Sequence, residues 1–71
     1  MKERVIRIVS QVMGVPMDQV TEGSSSQTVE TWDSLNHMNL ILALEEEFGV
    51  QFSDEQIMRM LNVGAILAEM A

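Results

Sequence analysis

Seventy-one residues with a formal charge of −7 leave room for one domain, residues 1–71, and only a small core. Four basic residues against eleven acidic ones argue against nucleic acid, whose phosphates need cationic surface, and against an anionic membrane surface. With no cysteine, neither disulfides nor thiolate metal sites are available. An apolar content of 46% nevertheless argues for a folded chain. The acidity either maintains solubility or complements basic patches on other proteins. Seven methionines either fill irregular gaps in the core or give it room to open for an apolar guest. No apolar run has the length to span a bilayer and no signal-peptide pattern is present, so the expectation is a cytoplasmic monomer without membrane insertion.

In chain order, residues 2–13 read as a first helix, with Val5, Ile8, Val9 and Val12 on one face and Ile6 and Met13 widening it. Gly14 marks its end and Pro16 blocks continuation. Three of the four cations, Lys2, Arg4 and Arg7, lie in its first half. Residues 15–33 form a long connection with a single turn at Asp18-Gln19-Val20, anchored by Val15, Met17 and Val20, and a polar stretch over 23–27. Such a loop lets the two long helices run antiparallel. Trp32 either packs the loop onto the bundle or meets a partner directly.

Residues 34–48 read as the second helix. Ser34 is an N-cap residue type, and Gly49 stands where a left-handed terminating residue is expected. Leu40, Ile41, Leu44 and Phe48 make a core-facing stripe, while Leu35, Met38 and Leu42 make a second stripe displaced round the helix. Either both stripes are buried or the second is a patch for a partner protein. Beside it, a serine at a helix N-terminus suits a phosphate, because free N–H groups and partial positive charge converge there. After an extended 50–52, Ser53 and Gln56 match a capping box, with Phe52 and Ile57 as its staple. A third helix over 54–60 then turns Ile57, Met60 and Leu61 inward. Asn62 caps a last helix carrying Val63, Ile66, Leu67 and Met70.

Ordinary catalytic readings are thin. Ser34 and His37 are neighbours at i, i+3 and could form a nucleophilic dyad, but no orienting acid or oxyanion site is evident. His37 otherwise packs along the core edge or faces solvent. Asp18, Glu45-Glu46-Glu47, Asp54 and Glu55 lack calcium-loop spacing, so a solvated acidic face is expected and no metal site.

Asp33-Ser34-Leu35, a helix ending Leu44-Glu45-Glu46-Glu47-Phe48, and then Phe52-Ser53-Asp54-Glu55 resemble an acyl carrier protein across essentially the whole chain. Glu3-Arg4-Val5, Gly14-Val15, Val20-Thr21 and Val63 fit the same pattern. The resemblance implies a small all-α four-helix bundle with a short third helix, and no enzyme activity of its own. It implies covalent 4′-phosphopantetheine on Ser34, installed from coenzyme A by a phosphopantetheinyl transferase. It implies delivery of thioester-bound acyl groups to acyl-activating, acyltransferase or synthase enzymes with basic patches. For such partners Leu35, Met38 and Leu42 would supply apolar contact, and Asp33, Glu45 and Glu46 the charge.

The chain departs from the common fatty-acid-synthesis pattern at Thr31-Trp32, at Asn36 and Asn39, and at Ser26. Fewer acids at the head of the second helix favour a specialised lipid, polyketide or secondary-metabolite pathway over housekeeping synthesis. An aminoacyl or peptidyl cargo, and an unmodified interaction module with a carrier-like fold, are the alternatives.

Overall fold

In the computed structural model, which describes residues 1–71, four α-helices enclose one apolar core. Helix α1 spans Lys2–Met13, α2 Ser34–Phe48, α3 Asp54–Arg59 and α4 Val63–Met70, with a 3₁₀ turn at Met17–Gln19. The helix ends follow local chemistry. Gly14 and Gly49 adopt φ of 70° and 65°, the left-handed conformation that costs glycine least, and their N–H groups close the last turns of α1 and α2. Ser53 and Gln56 form the reciprocal capping box, and the Asn62 side chain accepts the Ala65 N–H at 2.7 Å.

Helices α1 and α2 run antiparallel. Near the start of α1, Arg4 bonds the Glu47 carboxylate at 2.7 Å and lies 4.5 Å from the centre of the Phe48 ring at the end of α2. At the opposite end, the Thr31 hydroxyl just before α2 donates to the Met13 carbonyl at 2.7 Å. The cations of α1 and the acidic run of α2 are thus joined at Arg4. Between the helices, Val5, Val9, Leu40, Leu44, Met60, Val63 and Ile66 are fully buried. Each such aliphatic side chain contributes about 2 kcal/mol by leaving water. The stripe Leu40, Ile41 and Leu44 is therefore core, with Phe48 half-buried at its end.

The long connection is pinned along its length. Ser26 N–H donates to the Leu61 carbonyl at 3.0 Å, Val63 N–H to Ser24 at 3.0 Å and Gly64 N–H to Glu22 at 2.9 Å. These backbone bonds fasten the loop to the junction between α3 and α4, and Val20 and Trp32 sink into the core on either side.

Several expectations need correction. The cap of α2 is Asp33, not Ser34: its extended backbone (φ −100°, ψ −175°) lets its carboxylate accept the Asn36 N–H at 2.8 Å. Met17 is 46% exposed, because the single turn falls one residue earlier than the spacing implied; of the three expected anchors Val20 is buried and Val15 packs half-buried against the core. Helix α3 ends at Arg59 with Met60 as its cap, and the chain then turns Leu61 outward, to 42% exposure. No helix is long and apolar enough to cross a membrane.

Candidate functional site

The start of α2 presents a hydroxyl that nothing in the protein engages. With Asp33 as cap, Ser34 occupies the first helical position, exposed, and its side chain makes no hydrogen bond within the chain. The backbone N–H groups of Ser34 and Leu35 have no acceptor in the protein, whereas those of Asn36 and His37 bond to Asp33. Two orphan donors and the positive end of a four-turn helix therefore surround a free hydroxyl. An anionic group on that oxygen gains from both.

Beside Ser34 runs a solvent-open groove of about 390 Å³, lined by Ser26, Trp32, Asp33, His37, Met38 and Leu61. Its only charge is Asp33. The approach to Ser34 is held from several directions. Besides the Thr31 bond to Met13, the Asn36 amide folds back to donate to the Thr31 carbonyl at 2.9 Å. Trp32 is 3% exposed, which makes it the wedge between loop and bundle.

His37 is buried at the edge of the core, where its ring lines the groove, and does not face solvent. The Trp32 indole N–H donates to its Nδ1 at 3.0 Å, and its Nε2 lies 2.9 Å from the Ile57 carbonyl. Both ring nitrogens are occupied, so neither serves Ser34 as a base and the dyad reading fails on geometry. Sequence spacing did not reveal this bridge, because Trp32 lies outside the helix and Ile57 on another element. The one available hint was a lone histidine in the first turn of an apolar helix.

The second stripe of α2 stays outside. Leu35, Met38 and Leu42 are 72%, 45% and 60% exposed. Their i, i+3, i+7 spacing makes one continuous apolar strip leading away from Ser34. Glu46 is exposed at the far end of the helix. Glu45 is half-buried and its carboxylate accepts the Phe52 N–H at 2.9 Å, which ties the α2–α3 connection to α2. Asp33 is exposed but engaged as the cap.

Residues 3–70 match the family model described as a phosphopantetheine attachment site. That match spans all four helices and the groove at Ser34. The chain belongs to this family, the carrier proteins of acyl-carrier-protein type, which bear covalent 4′-phosphopantetheine and work with a phosphopantetheinyl transferase and synthase-type enzymes.

Proposed function

We propose that Ser34 is the residue that takes 4′-phosphopantetheine, and that the chain carries acyl groups between enzymes without catalysing a reaction itself. The observation that carries this reading is the exposed Ser34 hydroxyl, free of hydrogen bonds, at the start of α2. In the modification, the Ser34 oxygen forms a bond to phosphorus and loses its proton. The pyrophosphate bond of coenzyme A breaks and the nucleotide portion leaves. The residues fit the product: a phosphodiester at Ser34 meets the two orphan N–H groups of Ser34 and Leu35 and the helix dipole. When attached, the group supplies the thiol that this cysteine-free chain lacks, and that thiol holds cargo as a thioester.

Leu35, Met38 and Leu42 form the docking strip, with Asp33, Glu45 and Glu46 attracting basic patches on acyl-activating, acyltransferase or synthase partners. Of the three acids, Glu46 is the one left free of an internal hydrogen bond. Charge of this kind accelerates encounter more than it tightens the complex. The Asp33-Ser34-Leu35 sequence favours an acyl cargo over an aminoacyl one, in a specialised lipid, polyketide or secondary-metabolite pathway.

The test is intact mass after incubation with coenzyme A and a broad-specificity transferase. One phosphopantetheine is expected on the parent chain and none on Ser34→Ala. An unmodified parent, or addition that survives Ser34→Ala, overturns the assignment. Cargo class is read by offering the modified chain to acyl-activating and to amino-acid-activating enzymes, with acyl loading expected.

A further inference from the structure

We infer that His37, held as a single neutral tautomer, is a positioning residue for the chemistry at Ser34; the inference rests on the assignment of Ser34 as the attachment point. An indole N–H only donates, so the Nδ1 that faces Trp32 at 3.0 Å must be the unprotonated nitrogen. Neutral imidazole then carries its proton on Nε2, and the Ile57 carbonyl, which only accepts, receives it at 2.9 Å. The opposite tautomer would set two N–H groups against each other on one side and two lone pairs on the other. No buried side-chain nitrogen or oxygen in the chain lacks a partner, so the bridge leaves nothing unsatisfied.

One ring thereby joins three segments. Trp32 belongs to the approach and lies two residues before Ser34, His37 belongs to the first turn of α2, and Ile57 belongs to the last turn of α3. The same ring lines the groove, between Trp32 and the Leu61 that follows α3. α3 is only six residues long and has no fully buried side chain of its own. Its placement against α2 therefore leans on this bond, on the half-buried Ile57 side chain and on Met60 just beyond it, while Gln56 and Arg59 tie it to Glu69 of α4. Removing the bridge frees the Trp32 wedge and the end of α3 together, and the walls beside the Ser34 hydroxyl lose their fixed separation. His37 makes no hydrogen bond to the Ser34 hydroxyl. It acts through Trp32 and Ile57.

Two measurements test this. Long-range proton–nitrogen NMR of the unmodified chain should show His37 protonated on Nε2 and bare on Nδ1; the opposite tautomer, or an average of the two, overturns the inference. Transfer of phosphopantetheine from coenzyme A is then followed with kcat and KM for the carrier separated. His37→Leu and Trp32→Phe should raise KM about fivefold, the factor equivalent to one lost hydrogen bond of about 1 kcal/mol. His37→Gln, whose amide carries an acceptor and a donor on one carbon as the ring carries its two nitrogens on either side of Cε1, should stay near the parent. Unchanged KM and kcat in folded Leu and Phe variants overturn the inference. So does equal loss in the Gln and Leu variants, which would make packing the cause. If His37→Leu does not fold, Trp32→Phe, which keeps an aromatic wedge, decides. A parent chain that takes no phosphopantetheine defeats the Ser34 assignment as well, whereas a modified parent with indifferent variants defeats this inference alone.

Discussion

The Asp33 carboxylate accepts the Asn36 backbone N–H at 2.8 Å, and this single bond releases the neighbouring Ser34 from capping. Either side chain is chemically able to cap a helix. A serine that capped α2 would spend its oxygen on a backbone N–H. With the aspartate one residue earlier in that role, the serine moves to the first helical position and its oxygen faces solvent. Asp33→Ala should therefore cost about 1 kcal/mol in stability, while Asp33→Asn, which can still cap, should cost much less. Denaturant unfolding of both variants checks this. If modification of Ser34 falls equally in both, the charge of Asp33 matters; if only in the alanine variant, the cap does.

The exposed strip on α2 makes a separate prediction. Met38→Glu places a charge on a side chain that is 45% exposed, so thermal stability should change little. If the strip serves the docking role proposed for it, acyl loading by a partner enzyme should fall, with the loss in KM. Equal loading by parent and variant would remove Met38 from the docking face.

Core packing sets the stability. Leu44 is fully buried, and Leu44→Ala removes apolar contacts that a small domain cannot replace. A loss of about 3 kcal/mol is expected, a large part of what a chain of this size has. Chemical denaturation should show a lower midpoint with little change in slope.

Acid stability carries a signature of the pair between α3 and α4. The Glu69 carboxyl is held below the ordinary carboxylate range, first by the hydrogen bond from Arg59 and then by that from Gln56. A depressed carboxyl binds its proton more weakly in the folded chain than in the unfolded one. Its stabilisation is thus complete above the ordinary carboxylate pKa and disappears as pH falls through the folded value. Glu69→Gln should reduce the dependence of stability on pH below about pH 4, where the unfolded carboxyl takes up its proton. Arg59 is largely exposed, so solvent screens the pair and the change should be small. Unfolding midpoints across that acid range decide it.

Ionic strength should act in the opposite sense to a salt-bridge-stabilised protein. Three ion pairs, Lys2–Glu22, Arg4–Glu47 and Arg59–Glu69, engage three of the eleven acidic side chains. The remaining acids repel across a body of 27 × 23 × 18 Å. At about 0.01 M salt the screening length of roughly 30 Å exceeds that size, and at about 0.15 M it shrinks to roughly 8 Å. The melting temperature should therefore rise between these two conditions. A midpoint independent of salt would contradict the dominance of repulsion.

What the sequence alone determined about this protein is mostly local. Gly14 and Gly49 end helices because glycine takes a positive φ with least strain, and Ser53 and Gln56 begin one because their side chains reach the backbone N–H groups three residues away. The stripe Leu40, Ile41 and Leu44 was legible for the same reason, since helical periodicity places those side chains on one face whatever lies opposite. A helix start near Ser34 was legible too, but not that Asp33, one residue earlier, takes the cap. Tertiary structure decided the rest. Whether Leu35, Met38 and Leu42 lay inside or outside depended on where the other helices stood, and none covers them. Leu61 is left outside after α3 ends, and its backbone carbonyl accepts the Ser26 N–H at the pinned loop, a contact between segments 35 residues apart. His37 found its partners on a loop and on another helix, at distances in sequence that no periodicity encodes. Backbone geometry repeats along a helix and can be read from spacing, whereas the closing of one element on another is settled only when all of them compete for the same buried space.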